Sequence, residues 1–225
     1  MPFVVPPQFH RNSADVIALA PPADTGATLI DYMARRLGRR DLSGVDILDM
    51  GCGTRFTDTL VNRDVAFGTY TGIDVWVPLV KFLRDNVHDP RFAFHAFDAR
   101  NPMYSPEGTP LTARRVLPVG ERRFDLICMF SVITHQLPAD AQMLFTILRK
   151  VVRPDGRMFF SVYIDDTIDT DYAEYVADSP TGLSTYTSAH IQRLLDASGW
   201  RVESVAGPNP EDLPMFDSYL CAPAE

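Results

Sequence analysis

The sequence predicts an α/β fold, a mostly parallel sheet with helices on both faces, and three observations predict it. Short apolar runs alternate with segments whose apolar residues recur at helical spacing. The runs end in aspartate or in a glycine turn, where a buried strand gives way to a loop. The last two runs follow one another without a helix between them, which closes the chain with a hairpin-like antiparallel pair.

Residues 1–24 mix apolar and proline-rich pieces, Val4-Val5-Pro6-Pro7 and Ala20-Pro21-Pro22, and are expected to lie over the domain as an arm. Asp24 or Thr25 is the expected cap of a helix to Leu37, with Leu29, Ile30, Met33 and Leu37 on one face and Gly38 as its stop. Val45 to Met50 reads as a buried strand entering the turn Gly51-Cys52-Gly53, and a helix follows to about Asn62. Thr69 to Val75 is the second strand, with Asp74 near its end; Pro78 opens a helix through Val87 that sets Leu79, Val80, Leu83 and Val87 inward. Arg91 to Phe97 is the third strand, ending at Asp98.

The stretch from Arg100 to Arg123 is rich in Pro, Gly and Arg and longer than most connections, so it reads as a functional insertion or a mobile flap. Phe124 to Phe130 is a fourth strand, Pro138 to Val152 a helix, and Pro154-Asp155-Gly156 a turn into a fifth strand, Arg157 to Ile164. Asp165 to Thr187 is a polar connection without strand periodicity; Ser188 is the expected cap of a helix to Ser198, ended by Gly199. Trp200 to Ala206 and Met215 to Cys221 complete seven strands, the last antiparallel. Segments 100–123 and 165–187 are expected to serve as insertions on the acceptor side of a single domain spanning 1–225.

Bulk properties narrow the function. The 225 residues suffice for one well-buried domain. A net charge of -8 repels a phosphate backbone, so nucleic acid is not an expected partner. Arg35, Arg36, Arg39 and Arg40, and Arg114, Arg115, Arg122 and Arg123, read as solvated faces. Cys52, Cys128 and Cys221 lie far apart without metal-binding spacing, which fits a reducing, cytoplasmic setting. No run reaches the roughly 18 apolar residues of a membrane span, and the proline-rich start lacks the regions of a signal peptide.

Ligands of open α/β sheets bind beyond the carboxyl ends of the strands, and the residues there share a theme. Asp49-Met50-Gly51-Cys52-Gly53 leaves the first strand, its glycines allowing close backbone approach. Asp74 is placed to accept from both hydroxyls of a ribose, Asp98 from an adenine amino group, and Ala99 offers a backbone N–H to a ring nitrogen. Asp98 also suits a simple turn start. Together the three strand ends describe an adenosine site.

The run Val45-Asp46-Ile47-Leu48-Asp49-Met50-Gly51-Cys52-Gly53-Thr54 resembles the first motif of the class I S-adenosylmethionine-dependent methyltransferases. Thr71-Gly72-Ile73-Asp74-Val75 is similar to the family's ribose strand, Phe97-Asp98-Ala99 to its adenine strand and Phe124 to Ser131 to its fourth strand. Leu148 to Arg157 is similar to its helix-to-fifth-strand turn, so the resemblance runs from about Val45 to Ile164. It implies a Rossmann-like seven-stranded sheet, S-adenosyl-L-methionine as cofactor, and Asp49, Gly51, Cys52, Gly53, Asp74, Val75, Asp98, Ala99, Phe130 and Ser131 around it. Ser131 to Pro138 with Met103-Tyr104-Ser105 resembles bacterial members associated with sugar or polysaccharide methylation. The implied reaction is O-methylation of a small-molecule or carbohydrate acceptor.

For that chemistry His135 is the candidate base, since histidine titrates near neutrality; a structural histidine bonded to backbone is the alternative. Asp165, with Asp166, follows the fifth strand on the same rim and is the second catalytic candidate. Asp125, at the opposite edge, reads as structural, and the Cys52 thiol as a small filler. No metal is expected, because Phe130-Ser131-Val132 stands where metal-dependent relatives carry an acidic ligand. Two other readings stay open: a nicotinamide-dependent oxidoreductase, for which Phe56 replaces the third glycine of the fingerprint, and a non-catalytic adenosine-binding module.

Overall fold

The computed structural model describes residues 2–10, 17, 18, 20–101, 103–174, 183–209 and 216–225. Among them are five α-helices and nine strands. The helices are α1 (Pro22–Arg36), α2 (Arg55–Asn62), α3 (Val77–Asn86), α4 (Pro138–Arg149) and α5 (Ser188–Ala197). The strands are β1 (Leu42–Met50), β2 (Phe67–Asp74), β3 (Phe92–Ala96), β4 (Phe124–Met129), β5 (Val152–Ile164), β6 (Tyr172–Glu174), β7 (Ser184–Tyr186), β8 (Trp200–Ala206) and β9 (Asp217–Pro223).

Strands β3, β2, β1, β4 and β5 lie side by side in that order, all parallel. Strand β9 runs antiparallel to β5, and β8 antiparallel to β9, which completes the seven expected strands. The chain steps outward from β1 to β3 and returns to place β4 on the other side of β1. The order reverses there, so a crevice opens between the carboxyl ends of β1 and β4.

Alternation along the central strands feeds two cores. Ile47, Tyr70, Leu126 and Phe159 pack against Leu29 and Met33 of α1, Phe56 and Leu60 of α2, and Leu79 and Leu83 of α3. Leu48, Ile73, Ile127 and Phe160 face the other way, toward Leu144, Phe145 and Leu148 of α4 and Ile191 and Leu195 of α5. The segment 100–123 has no helix or strand among its described residues, yet Leu111, Leu117 and Val119 are buried in this second core. It covers the sheet where the crossover from β3 to β4 would otherwise carry a helix. Arg122 pins its end by donating to Thr71 Oγ1 (3.0 Å) and Thr69 Oγ1 (2.9 Å).

Several expected boundaries move. Helix α1 starts at Pro22, ahead of Asp24 and Thr25, because proline suits a first helical turn whose N–H groups have no partner. Thr187, rather than Ser188, caps α5 by accepting from His190 N at 3.2 Å; Ser188 is held by the Asp166 carboxylate. Pro154-Asp155-Gly156 lies inside β5 as a bulge, since Phe124 pairs with Val152 but Leu126 with Arg157. Gly156 is required there: a Cβ would stand 2.7 Å from the Phe124 carbonyl oxygen. The segment 165–187 holds β6 and β7, two strands beyond the seven expected, with β7 joined to the end of β5. Three residues each are too few for alternation to show in a sequence. Residues 175–182 of that segment and Met215 of the last expected strand lie outside the described residues.

Asp125 is structural. Its carboxylate and that of Asp46 clamp Arg153 at the amino ends of the strands, and Asp46 N donates to Asp125 Oδ2 at 2.8 Å. Residues 2–10 pack outside α2 and α3: Phe3 and Val5 are buried, the Phe3 backbone exchanges two hydrogen bonds with Asn62, and Phe9 stacks on Phe82. Among the described residues no helix is long and apolar enough to cross a membrane.

Helices α1 and α2 touch at Gly26, where a Cβ would come within 2.0 Å of Thr59 Oγ1. That hydroxyl is held by the carbonyls of Ala23 (3.1 Å) and Arg55 (3.0 Å) and has little room to move. Gly26→Ala is therefore expected to destabilise the protein by about 1–3 kcal/mol, although alanine is the better helix former. Denaturant melts read the difference; a stability gain would mean the helix pair has slack at this contact.

Candidate functional site

A cavity of about 440 Å³ opens at the crevice, within the range of small-molecule sites. Its floor is the turn after β1. Gly51 (φ +73°) and Gly53 (φ +50°) both have left-handed backbone, which glycine adopts without strain. Gly51 N and Cys52 N donate to the Ile73 carbonyl (2.7 and 3.0 Å), which ties the turn to the end of β2. A Cβ at Gly53 would meet nothing within 4 Å, so the turn forms an open cradle. The buried Cys52 side chain sits over Gly72, where a Cβ would lie 2.9 Å from its sulfur, as expected of a filler.

Asp74 lines the cavity at the end of β2 and is 3% exposed. Its Oδ2 accepts from Gly53 N at 3.0 Å and its Oδ1 from Trp76 N at 2.9 Å, so one carboxylate fixes two turns. Val75 and Ala99 flank it along the wall. Asp98 is not brought to the cavity. It is exposed and its carboxylate accepts from the Thr109 hydroxyl and Thr109 N, which holds its pKa below the usual carboxylate range.

Asp49 is buried beneath the glycine turn and lines the cavity. Burial pushes its carboxyl pKa up to about 7, and the nearby Asp74 charge acts in the same direction. Hydrogen bonds from Tyr70 Oη (2.6 Å) and the Cys128 thiol, and the Arg55 charge, act against it. Burial also raises the Tyr70 and Cys128 pKa values, so both remain donors to Asp49.

The other bank follows β4. Phe130 packs edge-on to Phe56, and Ser131 has φ 54°, unusual for a residue with a side chain. Ser131 N donates to the buried Ser161 hydroxyl at 2.9 Å, which holds the bend. A single 3-10 turn, Ile133–His135, then brings Thr134, His135 and Gln136 to the wall. Asn101 Nδ2 donates to the His135 carbonyl at 3.2 Å and the Tyr104 ring meets His135 edge-on, so segment 100–123 braces this bank. Asp165 is not brought to the cavity: its Oδ1 accepts from Thr167 N (2.9 Å) and Thr167 Oγ1 (2.6 Å), which holds its pKa down.

The structure also brings to the cavity residues that the sequence reading did not single out. Arg55 lines it from the first position of α2. A cation opposing a helix N-terminus was the available signal, because that position disfavours positive charge. Asn101, Thr134 and Gln136 are buried polar residues of the wall. Thr134 Oγ1 has no hydrogen-bond partner among the described residues.

An open cradle of glycines, a carboxylate at the end of β2 and a crevice at the reversal of strand order are the site of a nucleoside-binding α/β fold, and the family match makes it a class I methyltransferase, the class whose methyl donor is S-adenosylmethionine. The chain belongs to the family described as methyltransferase domain, which its sequence matches over residues 10–205. Its fold is similar to that of a Leishmania major S-adenosylmethionine-dependent methyltransferase (17% identity, TM-score 0.61, covering 95% of this chain and 79% of the other). It is also similar to Burkholderia thailandensis 1,6-didemethyltoxoflavin-N1-methyltransferase, solved with 1,6-didemethyltoxoflavin and S-adenosylhomocysteine (19%, 0.58, 94% and 82%). A third similar fold is magnesium protoporphyrin IX methyltransferase of Synechocystis (13%, 0.58, 96% and 88%).

Proposed function

We propose that this methyltransferase acts on a hydroxyl of a small-molecule or carbohydrate acceptor, with His135 as the base. The observation that carries the reading is the placement of Asp74 and His135 on the two banks of one cavity, after β2 and after β4. The glycine cradle and Asp74 fit the donor's nucleoside, and the Burkholderia relative, with a small heterocycle beside S-adenosylhomocysteine, supports a small acceptor.

Bound S-adenosylmethionine supplies an electrophilic methyl group on a sulfonium. Displacement at such a carbon depends mainly on alignment, so the chain's work is positioning. Asp74 takes the ribose hydroxyls, and Val75 and Ala99 hold the base, with Asp98 contributing through its neighbour rather than its own carboxylate. Phe130 and Ser131 shape the wall between donor and acceptor. His135 removes the hydroxyl proton, while Asp165 holds the turn after β5. The N-terminal arm and segments 100–123 and 165–187 enclose the acceptor.

A panel of sugars, phenols and amines assayed for methyl transfer tests the acceptor class, and methylation confined to amines would end the oxygen reading. With a hydroxyl acceptor found, His135→Ala is expected to lower kcat about 100-fold or more with S-adenosylhomocysteine affinity unchanged, and Asp165→Ala to stay within about twofold. An unchanged kcat in His135→Ala would remove it as the base.

A further inference from the structure

We infer that Gln136 is the residue that reads the acceptor, and that the acceptor is a flat aromatic ring bearing a second hydrogen-bonding group next to the one that is methylated. The inference rests on the reading that the acceptor lies against the bank after β4, beside His135.

Gln136 lines the cavity and is only 8% exposed. No described residue gives its carboxamide a hydrogen bond, and neither of the two polar atoms is sealed from contact. A carboxamide brings one oxygen acceptor and two N–H donors, and leaving such a group buried and unpaired costs about 1–3 kcal/mol. The neighbouring buried amide shows that the fold can satisfy one. Asn101 Oδ1 accepts from Met103 N and Tyr104 N, both at 3.0 Å, and its Nδ2 donates to the His135 carbonyl.

The main chain of Gln136 is fully held. Its N–H donates to the Ile133 carbonyl at 3.1 Å, and its carbonyl accepts from Tyr186 Oη (2.6 Å) and Ser184 Oγ (2.9 Å). Both hydroxyls belong to buried residues of β7, one of the two strands beyond the seven expected. This short strand fixes where the Gln136 side chain starts, and the wall leaves its far end unpaired. A polar group held in place before a ligand arrives pairs with it at small ordering cost.

The rest of the wall decides the character of the ligand. Tyr104, Phe130 and Phe216 put rings against the cavity, and Leu111, Val132 and Leu144 add apolar surface. An aromatic ring suits such surfaces by face and by edge. A sugar ring carries a hydroxyl on most of its carbons, and each one buried here needs a partner that apolar side chains do not supply. Gln136 directly follows His135 and both line the cavity, so the group held by the carboxamide sits next to the group whose proton the imidazole takes.

The test is a set of matched probes on the whole chain: 1,2-dihydroxybenzene against phenol, 1,2-diaminobenzene against aniline, and methyl β-glucopyranoside as the sugar. Methyl transfer gives kcat/KM, and calorimetric titration of the protein saturated with S-adenosylhomocysteine gives affinity. In the unaltered protein 1,2-dihydroxybenzene is expected to exceed phenol about 30-fold in kcat/KM and about 10-fold in affinity. Both ratios are expected to fall to about threefold or less in Gln136→Leu, which keeps the bulk and loses the polar atoms, and to an intermediate value in Gln136→Asn. Affinity for S-adenosylhomocysteine within about threefold of the original shows that a variant is folded; should Gln136→Leu lose it, Gln136→Asn carries the comparison. A ratio near one in the unaltered protein, or one that survives the substitutions, overturns the assignment and leaves the oxygen reading standing. Faster transfer to the glucopyranoside than to 1,2-dihydroxybenzene, or no transfer to any probe, overturns the aromatic class. Transfer confined to the amines, with the same preference for the paired group and the same dependence on Gln136, supports the assignment and ends only the oxygen reading.

Discussion

Asp74→Ala is expected to reduce affinity for S-adenosylhomocysteine about 100-fold or more while leaving the protein folded. The carboxylate already receives Gly53 N and Trp76 N, one on each oxygen, so its position is fixed before any ligand arrives. Two ribose hydroxyls meeting a preorganised, buried carboxylate make charge-assisted hydrogen bonds worth about 1.5–3 kcal/mol each, and a loss of about 3 kcal/mol corresponds to the stated factor. Alanine also releases the glycine turn, whereas Asp74→Asn keeps an acceptor and is expected to lose only about tenfold. Titration of the three proteins ranks them. Affinity of Asp74→Ala within threefold of the original would show that the ribose is held elsewhere.

Asp49→Asn is expected to weaken ligand binding and yet to stabilise the empty protein, in a pH-dependent way. An aspartate exposed in the unfolded chain titrates near 3.8, while in the fold it titrates at about 7, chiefly because it is buried. Between those values the unfolded chain binds fewer protons, so this group's contribution to stability is complete below pH 4 and is lost as the pH rises to 7. Three pKa units set an upper bound on the order of 4 kcal/mol. Asparagine escapes the ionisation and still accepts from Tyr70, but its amide N–H groups need partners, which returns about 1–3 kcal/mol. A net gain of about 2 kcal/mol at pH 8 raises Tm by about 4–8 °C, and the gain disappears at pH 4. Melts at the two pH values decide it: a variant less stable at pH 8, or a difference independent of pH, would mean that Asp49 is not held against its charge.

Much of the fold was legible because the buried parallel strands are continuous apolar runs. The strand from Phe124 starts where expected and ends one residue early, and those ending at Met50 and Asp74 start three and two residues early; the antiparallel Trp200–Ala206 coincides with its expected limits. What escaped depends on long-range packing. The segment 100–123 has no period to reveal that Leu111, Leu117 and Val119 would replace a helix in the core. β6 and β7 exist because the end of β5 offers them an edge. At the site, Asp74 was readable because a strand end fixes the direction of its side chain. Asp98 and Asp165 were read by the same rule, and the structure turns both toward threonines of their own loops. A short acidic side chain beside a nearby hydroxyl and N–H satisfies itself locally, and strand position alone does not reveal that competition.

Gly51 also separates the two banks of the cavity. A Cβ there would fall 2.5 Å from Val132 Cγ2, so the turn after β1 and the bend after β4 are in direct contact. Close-packed surfaces shift together rather than independently. A side chain at position 51 would therefore press directly on the bend that carries Phe130 and Ser131, so this glycine is required by its neighbour across the crevice as well as by its own left-handed backbone.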